Sequence, residues 1–169
     1  MACNQTLNGL LRDCASSMGG IMEVYLANRE DITEITISED MITAITPSDK
    51  FKKYQLPRET GSLASTWTID PKTGTRYVST DLVLVFNRMD TQKRVEISAL
   101  AQNELVAIVK DNNGSCWYLG YDEPLYASAG DGLTGAERAN RNGYSITLHD
   151  NSKDMPYEVD ADIVDALVA

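Results

Sequence analysis

The segment Leu82-Val83-Leu84-Val85-Phe86 constrains the fold more than any other, because five consecutive apolar residues leave a strand no polar face to turn toward water. A strand apolar on both sides has to be covered on both sides. That requirement demands a layered β architecture, a neighbouring subunit, or both. The segment also lies in the second arm of the clearest hairpin in the chain. Ser62 to Asp70 and Thr75 to Asn87 flank Pro71-Lys72-Thr73-Gly74, with proline early and glycine late, as a tight turn needs.

Further strands are punctuated in the same way. Ile21 to Ala27 places Val24 and Leu26 on one face. Glu34 to Ile37 and Met41 to Thr46 are β-rich runs joined by Ser38-Glu39-Asp40, a hairpin signature. Phe51 to Leu56 reads as a polar strand stopped by Pro57. Glu104 to Lys110 and Ser115 to Tyr121 surround Asp111-Asn112-Asn113-Gly114, and Asn-Gly between apolar runs marks a hairpin. Leu125 to Ala129 is a short strand, and Gly143 to His149 is another with Tyr144, Ile146 and Leu148 on one side. Asp90 has the character of an N-cap for a helix from about Thr91 to Asn103, with Ile97, Leu100, Ala101 and Leu105 as its apolar stripe. Val95, Ile97 and Ala99 also alternate as a strand would, but Gln92, Lys93, Arg94 and Glu96 favour the helix. The acidic tail from Val159 to Val168 is expected to close with a helical turn. The expected class is mainly β: a β-sandwich or barrel with one packed α-helix and a long hairpin loop.

With 169 residues and neither repeat nor linker, the chain reads as an N-terminal arm, residues 1–20, and a single β domain, residues 21–169. In the arm, Leu7, Leu10, Leu11 and Cys14 have helical spacing and suggest a short amphipathic segment ended by Gly19-Gly20. Between the last two strands, Gly130 to Asn142 is glycine-rich and almost free of large apolar residues. A loop of that length inside a compact domain is usually functional or disordered, and contact with a neighbouring subunit would order it.

The net charge of -10 argues against a basic footprint for nucleic acid and would repel phosphate. No apolar run approaches the roughly 20 residues that cross a bilayer, and the N-terminus lacks the pattern of a secretory signal. Use in a cytoplasm is expected. Cys3, Cys14 and Cys116 are odd in number and widely spaced, unlike a disulfide framework.

Chemistry-bearing motifs are sparse. His149 is the only histidine and has no partner at ligand spacing, so a surface or packing role is expected. Asp111, Asn113 and Ser115 alternate as in a calcium loop, but Cys116 stands where such a loop needs glycine, and a hairpin turn fits better. Neither a phosphate-binding glycine loop nor a nucleophile elbow is present. The expectation is no catalytic residue, no cofactor and no metal: a non-enzymatic protein.

Several segments resemble structural proteins of phages that infect Bacteroides-type bacteria, including the crAss-like group. They are Phe86-Asn87-Arg88-Met89-Asp90 through Val95-Glu96-Ile97-Ser98-Ala99-Leu100-Ala101, Trp117-Tyr118-Leu119-Gly120, Gly132-Leu133-Thr134-Gly135, Asn142-Gly143-Tyr144-Ser145-Ile146-Thr147-Leu148, and the opening from Cys3-Asn4 to Met18-Gly19-Gly20. The order of elements is also similar to phage tail-tube proteins. That resemblance implies a virion tail protein, made in the host cytoplasm, whose copies close into rings, usually hexamers, by joining their sheets. The rings stack into a tube, or form a tail ring, around a channel through which DNA passes without specific binding. It further implies that Leu7, Leu10, Leu11, Gly132, Leu133, Thr134, Gly135, Arg138 and Arg141 make contacts between subunits or rings, and that other tail or connector proteins are partners. Two other readings stay open: a head-tail connector, tail terminator or capsid decoration protein, and a small-molecule or carbohydrate-binding β-barrel lined by Trp67, Trp117, Tyr118 and Tyr121.

Overall fold

A computed structural model describes residues 4–169; Met1, Ala2 and Cys3, and with them the first residues of the resemblance noted above, lie outside the described residues. The fold is mainly β. The strands are β1 (Ile21–Asn28), β2 (Ile32–Ser38), β3 (Met41–Pro47), β4 (Lys52–Tyr54), β5 (Ser62–Asp70), β6 (Thr75–Asn87), β7 (Leu105–Asp111), β8 (Cys116–Leu119), β9 (Tyr126–Leu133), β10 (Gly143–Ser152) and β11 (Tyr157–Val159). Two helices join them, α1 (Thr91–Gln102) and α2 (Ala161–Leu167). Seven strands form one sheet in the order β2-β3-β11-β8-β7-β1-β4, and four form a second in the order β5-β6-β10-β9.

The larger sheet is the middle layer. Val24 and Leu26 of β1, with Ala107 and Val109 of β7, point to one side and pack on Leu82, Leu84, Ile146 and Leu148 of the smaller sheet. Tyr25, Ala27, Val106 and Ile108 point to the other side and pack with Ile42, Phe51, Tyr118, Val164 and Leu167. Residues from both ends of the larger sheet, Ile32 of β2 and Tyr25 of β1, share that second cluster. The sheet therefore curls around α2 and Phe51, and the link from β1 to β2 needs only the single 3-10 turn Arg29–Asp31. Phe51 is held there by main-chain bonds to Leu167 and Ala169 at 2.9 Å each. The strands buried on both faces are thus β1 and β7, whose residues Val24 to Ala27 and Leu105 to Val109 are all buried.

Several local expectations hold. Asp90 caps α1, accepting from the Lys93 N–H at 2.8 Å, with the Lys93 ammonium 2.6 Å from its other oxygen. Glu39 and Asp40 both sit at positive φ, 52° and 63°, as a two-residue hairpin turn between β2 and β3 requires. Trp117 and Tyr118 point to opposite faces, Tyr118 buried and Trp117 half-buried. The tail does close with a helix, α2. The Asp111 carboxylate is spent on the β7–β8 turn, accepting from the Asn113 and Ser115 N–H groups and from Trp117 Nε1.

Other expectations are corrected. Residues 4–20 form no helix: Gly9 sits at φ +72° in mid-stretch, and isolated helices this short are marginal in water. The stripe of α1 narrows to buried Leu100 and half-buried Ile97; Ala101 is exposed and Leu105 belongs to β7. The polar strand shrinks to β4, and Phe51 is wholly buried. Leu82 to Phe86 is not covered on both faces by its own domain. Leu82 and Leu84 are buried in the sandwich, while Val83 and Val85 lie half-exposed on the outer face.

Gly130 to Leu133 belongs to β9, paired with β10 through Gly143↔Leu133 and Ile146↔Gly130. Glycine suits this strand because a Cβ at 132 would come within 3.1 Å of the Tyr144 ring. The remaining loop, residues 134–142, is closed by its own bonds. Asn140 N–H donates to Glu137 at 3.0 Å, Arg141 pairs with Asp131 at 2.9 Å, and Asn142 Oδ1 accepts from Met89 N–H at 2.8 Å. It does not depend on a neighbour for order.

Candidate functional site

The four-stranded sheet offers the most exposed association surface. All its pairings are antiparallel, so its two edge strands, β5 and β9, run in opposite directions. Both are long, nine and eight residues, mostly exposed, and free of lysine and proline. The only irregularity on β9 is a bulge between the pairs Thr147↔Ala129 and Leu148↔Ala127. The other sheet ends at β4, three residues long with two adjacent lysines. Short, lysine-bearing edges are how proteins discourage edge pairing; β5 and β9 carry no such protection beyond the bulge.

The register fixes which residues look outward from this sheet. Leu82, Leu84, Ile146 and Leu148 face the core. Their alternates therefore form the outer face: Thr66 and Thr68 on β5; Ser79, Asp81, Val83 and Val85 on β6; Ser145, Thr147 and His149 on β10; Ala129, Asp131 and Leu133 on β9. No strand position on this face is lysine or arginine. His149 packs edge-on against Tyr126 and its Nδ1 lies 2.7 Å from Asp81, so the lone histidine is a surface residue with an acidic partner.

The arm is the second exposed feature. Leu7, Leu10 and Leu11 are 93%, 102% and 98% exposed and touch no core. Its base is clasped by the β7–β8 turn. Asn113 accepts from Met18 N–H at 2.8 Å, and its amide reaches Ser17 and the Met18 carbonyl. Asn112 donates to the Gly19 carbonyl at 2.7 Å. Of the residues expected to make subunit contacts, Gly132 and Leu133 end β9, Thr134, Gly135 and Arg138 are exposed in the loop, and Arg141 is half-buried against Asp131. These six share one hairpin. The leucines stand apart from it on the arm, and among the described residues no hydrogen bond joins the two.

A third feature lies inside the sandwich and was not anticipated. Tyr144, Ile146, Leu148 and Asp150 alternate on the core face of β10, so period-2 spacing carries a carboxylate to an apolar register. Asp150 is 3% exposed and Tyr118 1%. Asp150 Oδ2 accepts from Gly120 N–H at 2.9 Å, while Asp150 Oδ1 and Tyr118 Oη have no protein partner. Burial pushes the Asp150 carboxyl above the usual aspartate range, against the Gly120 and Thr80 hydrogen bonds. Burial likewise raises the Tyr118 hydroxyl. Both residues line a cleft of about 230 Å³.

Among the described residues no group of acidic, histidine or cysteine side chains is placed to hold a metal ion, and no helix is long and apolar enough to cross a membrane. Comparison with protein-family models, curated proteins and solved structures finds no match to this chain.

Proposed function

We propose that the chain is a structural subunit of a bacteriophage tail, forming the tail tube or a tail ring by homo-oligomeric ring closure. The observation that carries this reading is the four-stranded sheet with two long, unprotected, oppositely running edges. When β9 of one copy meets β5 of the next, the pairing is antiparallel, as every pairing inside the sheet already is. Each added copy preserves the alternation, so the joined sheet closes around a rotation axis without a parallel mismatch, and closure removes every edge.

Curvature toward the free face makes the outer face the lining of the channel. Its hydroxyls, Asp81 and Asp131, without lysine or arginine, give a surface that does not hold phosphate, which suits a conduit for DNA. The half-exposed Val83 and Val85, the remnant of the doubly apolar segment, lie on this lining. The exposed leucines of the arm are left to contact the next ring or another tail protein. The larger sheet and α2 form the outer body.

Electron microscopy of concentrated protein tests the proposal. Rings or stacked rings are expected. The double variant Thr66→Lys, Ala129→Lys, which places a charge on each edge strand, is expected to remain monomeric while melting like the parent. Persistent monomer of the parent at every concentration, and with other tail proteins present, overturns the proposal.

A further inference from the structure

The strongest feature that tube assembly leaves unused is the cleft at Asp150 and Tyr118. Two buried side chains each present an oxygen without a protein partner toward one space. A desolvated carboxylate oxygen left unpaired is costly, and a charged donor offsets that cost best. The walls add to the selection. Asp122 and Asp154 bring further carboxylates to the rim, and an anion would meet three negative groups. Of the two cations nearby, Arg76 is held over the Trp67 ring, 5.3 Å from its centroid, and Lys153 is exposed at the mouth. The rings of Tyr121 and Tyr157, packed edge to face at 5.1 Å, supply the aromatic surface on which a planar cation stacks.

Size narrows the class. About 230 Å³ falls below the roughly 300 Å³ at which sites for drug-sized ligands begin. A nucleotide or an oligosaccharide is too large; one side chain or a small amine fits. Two acceptors in one pocket with aromatic rings beside them match the flat donor fork of a guanidinium better than the point charge of an ammonium.

We infer that the cleft at Asp150 and Tyr118 is a binding site for a guanidinium group, on a free small molecule or on an arginine of a second copy of this chain. Asp150 Oδ1 and Tyr118 Oη accept from its N–H groups, and the Tyr121–Tyr157 pair packs against its plane. The site stands independently of tube assembly.

Methylguanidinium chloride is the probe, followed by amide NMR of the full chain. Saturable shifts centred on the Gly120 N–H, which donates to the same carboxylate, are expected, with acetate and urea giving none. Asp150→Asn, nearly equal in volume, should weaken binding roughly tenfold or more, as loss of a charged hydrogen bond does. Tyr118→Phe should weaken it less. Both variants are checked by melting, and Tyr121→Leu, at the half-buried rim, provides a variant whose folding is not at stake. No saturable shift in the parent, equal binding by Asp150→Asn, or equal binding of acetate overturns the inference. Sedimentation separates the two sources. Self-association that methylguanidinium disperses identifies an arginine of a second copy, and binding without change in mass identifies a free ligand; either result supports the site.

Discussion

At the scale of single residues, Asp150 and Gly120 carry the most specific consequences. The folded Asp150 carboxyl is raised, chiefly by burial, so the folded chain holds its proton to higher pH than the unfolded chain does. Across that window the folded state binds more protons, and stability falls as pH rises through it. Asp150→Asn removes the titration. Relative to the parent, the variant is expected to gain stability as pH rises from the ordinary aspartate range to neutrality, with no relative gain at more acid pH. Urea midpoints of both proteins across that range measure the difference, and the neighbouring His149 and Asp122 titrate in both. Gly120 sits at φ +87°, where a Cβ would also stand 3.1 Å from the Leu105 carbonyl. Gly120→Ala is expected to cost about 2 kcal/mol or more in denaturant unfolding, from left-handed strain and crowding against main chain. Asp150 was open to the sequence in one respect, since it continues the Tyr144, Ile146, Leu148 alternation. What could not be read was that the space opposite it stays open, because Tyr118, Tyr121 and Tyr157 arrive from distant parts of the chain.

At the scale of elements, hairpins and caps were legible because their signals are local. Pro71 to Gly74, Asn112 to Gly114 and the Asp90 cap each specify backbone geometry within four residues, and each produces the element expected. Asp90→Ala is expected to cost about 1 kcal/mol, seen as faster amide exchange in the first turn of α1. The misread elements are those whose fate depends on a partner far along the chain. The glycines of β9 signalled a loose loop, yet β10 pairs with them and Tyr144 packs where side chains would collide. The leucines of the arm signalled a helix, yet nothing covers them. The doubly buried strands proved to be β1 and β7, because the larger sheet, not β6, is the middle layer. Leu84→Ala removes a wholly buried side chain between the sheets and is expected to cost about 2–5 kcal/mol, whereas Val85→Ala on the outer face is expected to cost well under half as much. Thermal or denaturant melts of the pair test which face of β6 is core.

At the scale of the whole molecule, mainly β class and a packed helix were readable from punctuation and periodicity, while the two-sheet order and the parallel pairing of β11 with β3 were not, since neither leaves a local mark. Assembly is argued from what the finished fold leaves unpaired. The two lysines on β4 and their absence from β5 and β9 divide the molecule into a guarded sheet and an unguarded one. The claim on which the account rests is that β5 of one copy pairs antiparallel with β9 of the next. Cysteines placed at Thr66 and Ala129, and in turn at the register neighbours Ala64 and Asp131, in a chain with Cys3 and Cys14 changed to serine, measure this directly. Paired positions on adjacent strands lie within the Cα separation a disulfide spans. The account predicts that oxidation yields, for one register, a ladder of covalent multimers ending at a single closed ring, and none when either cysteine is absent. Monomer alone in every register would contradict it.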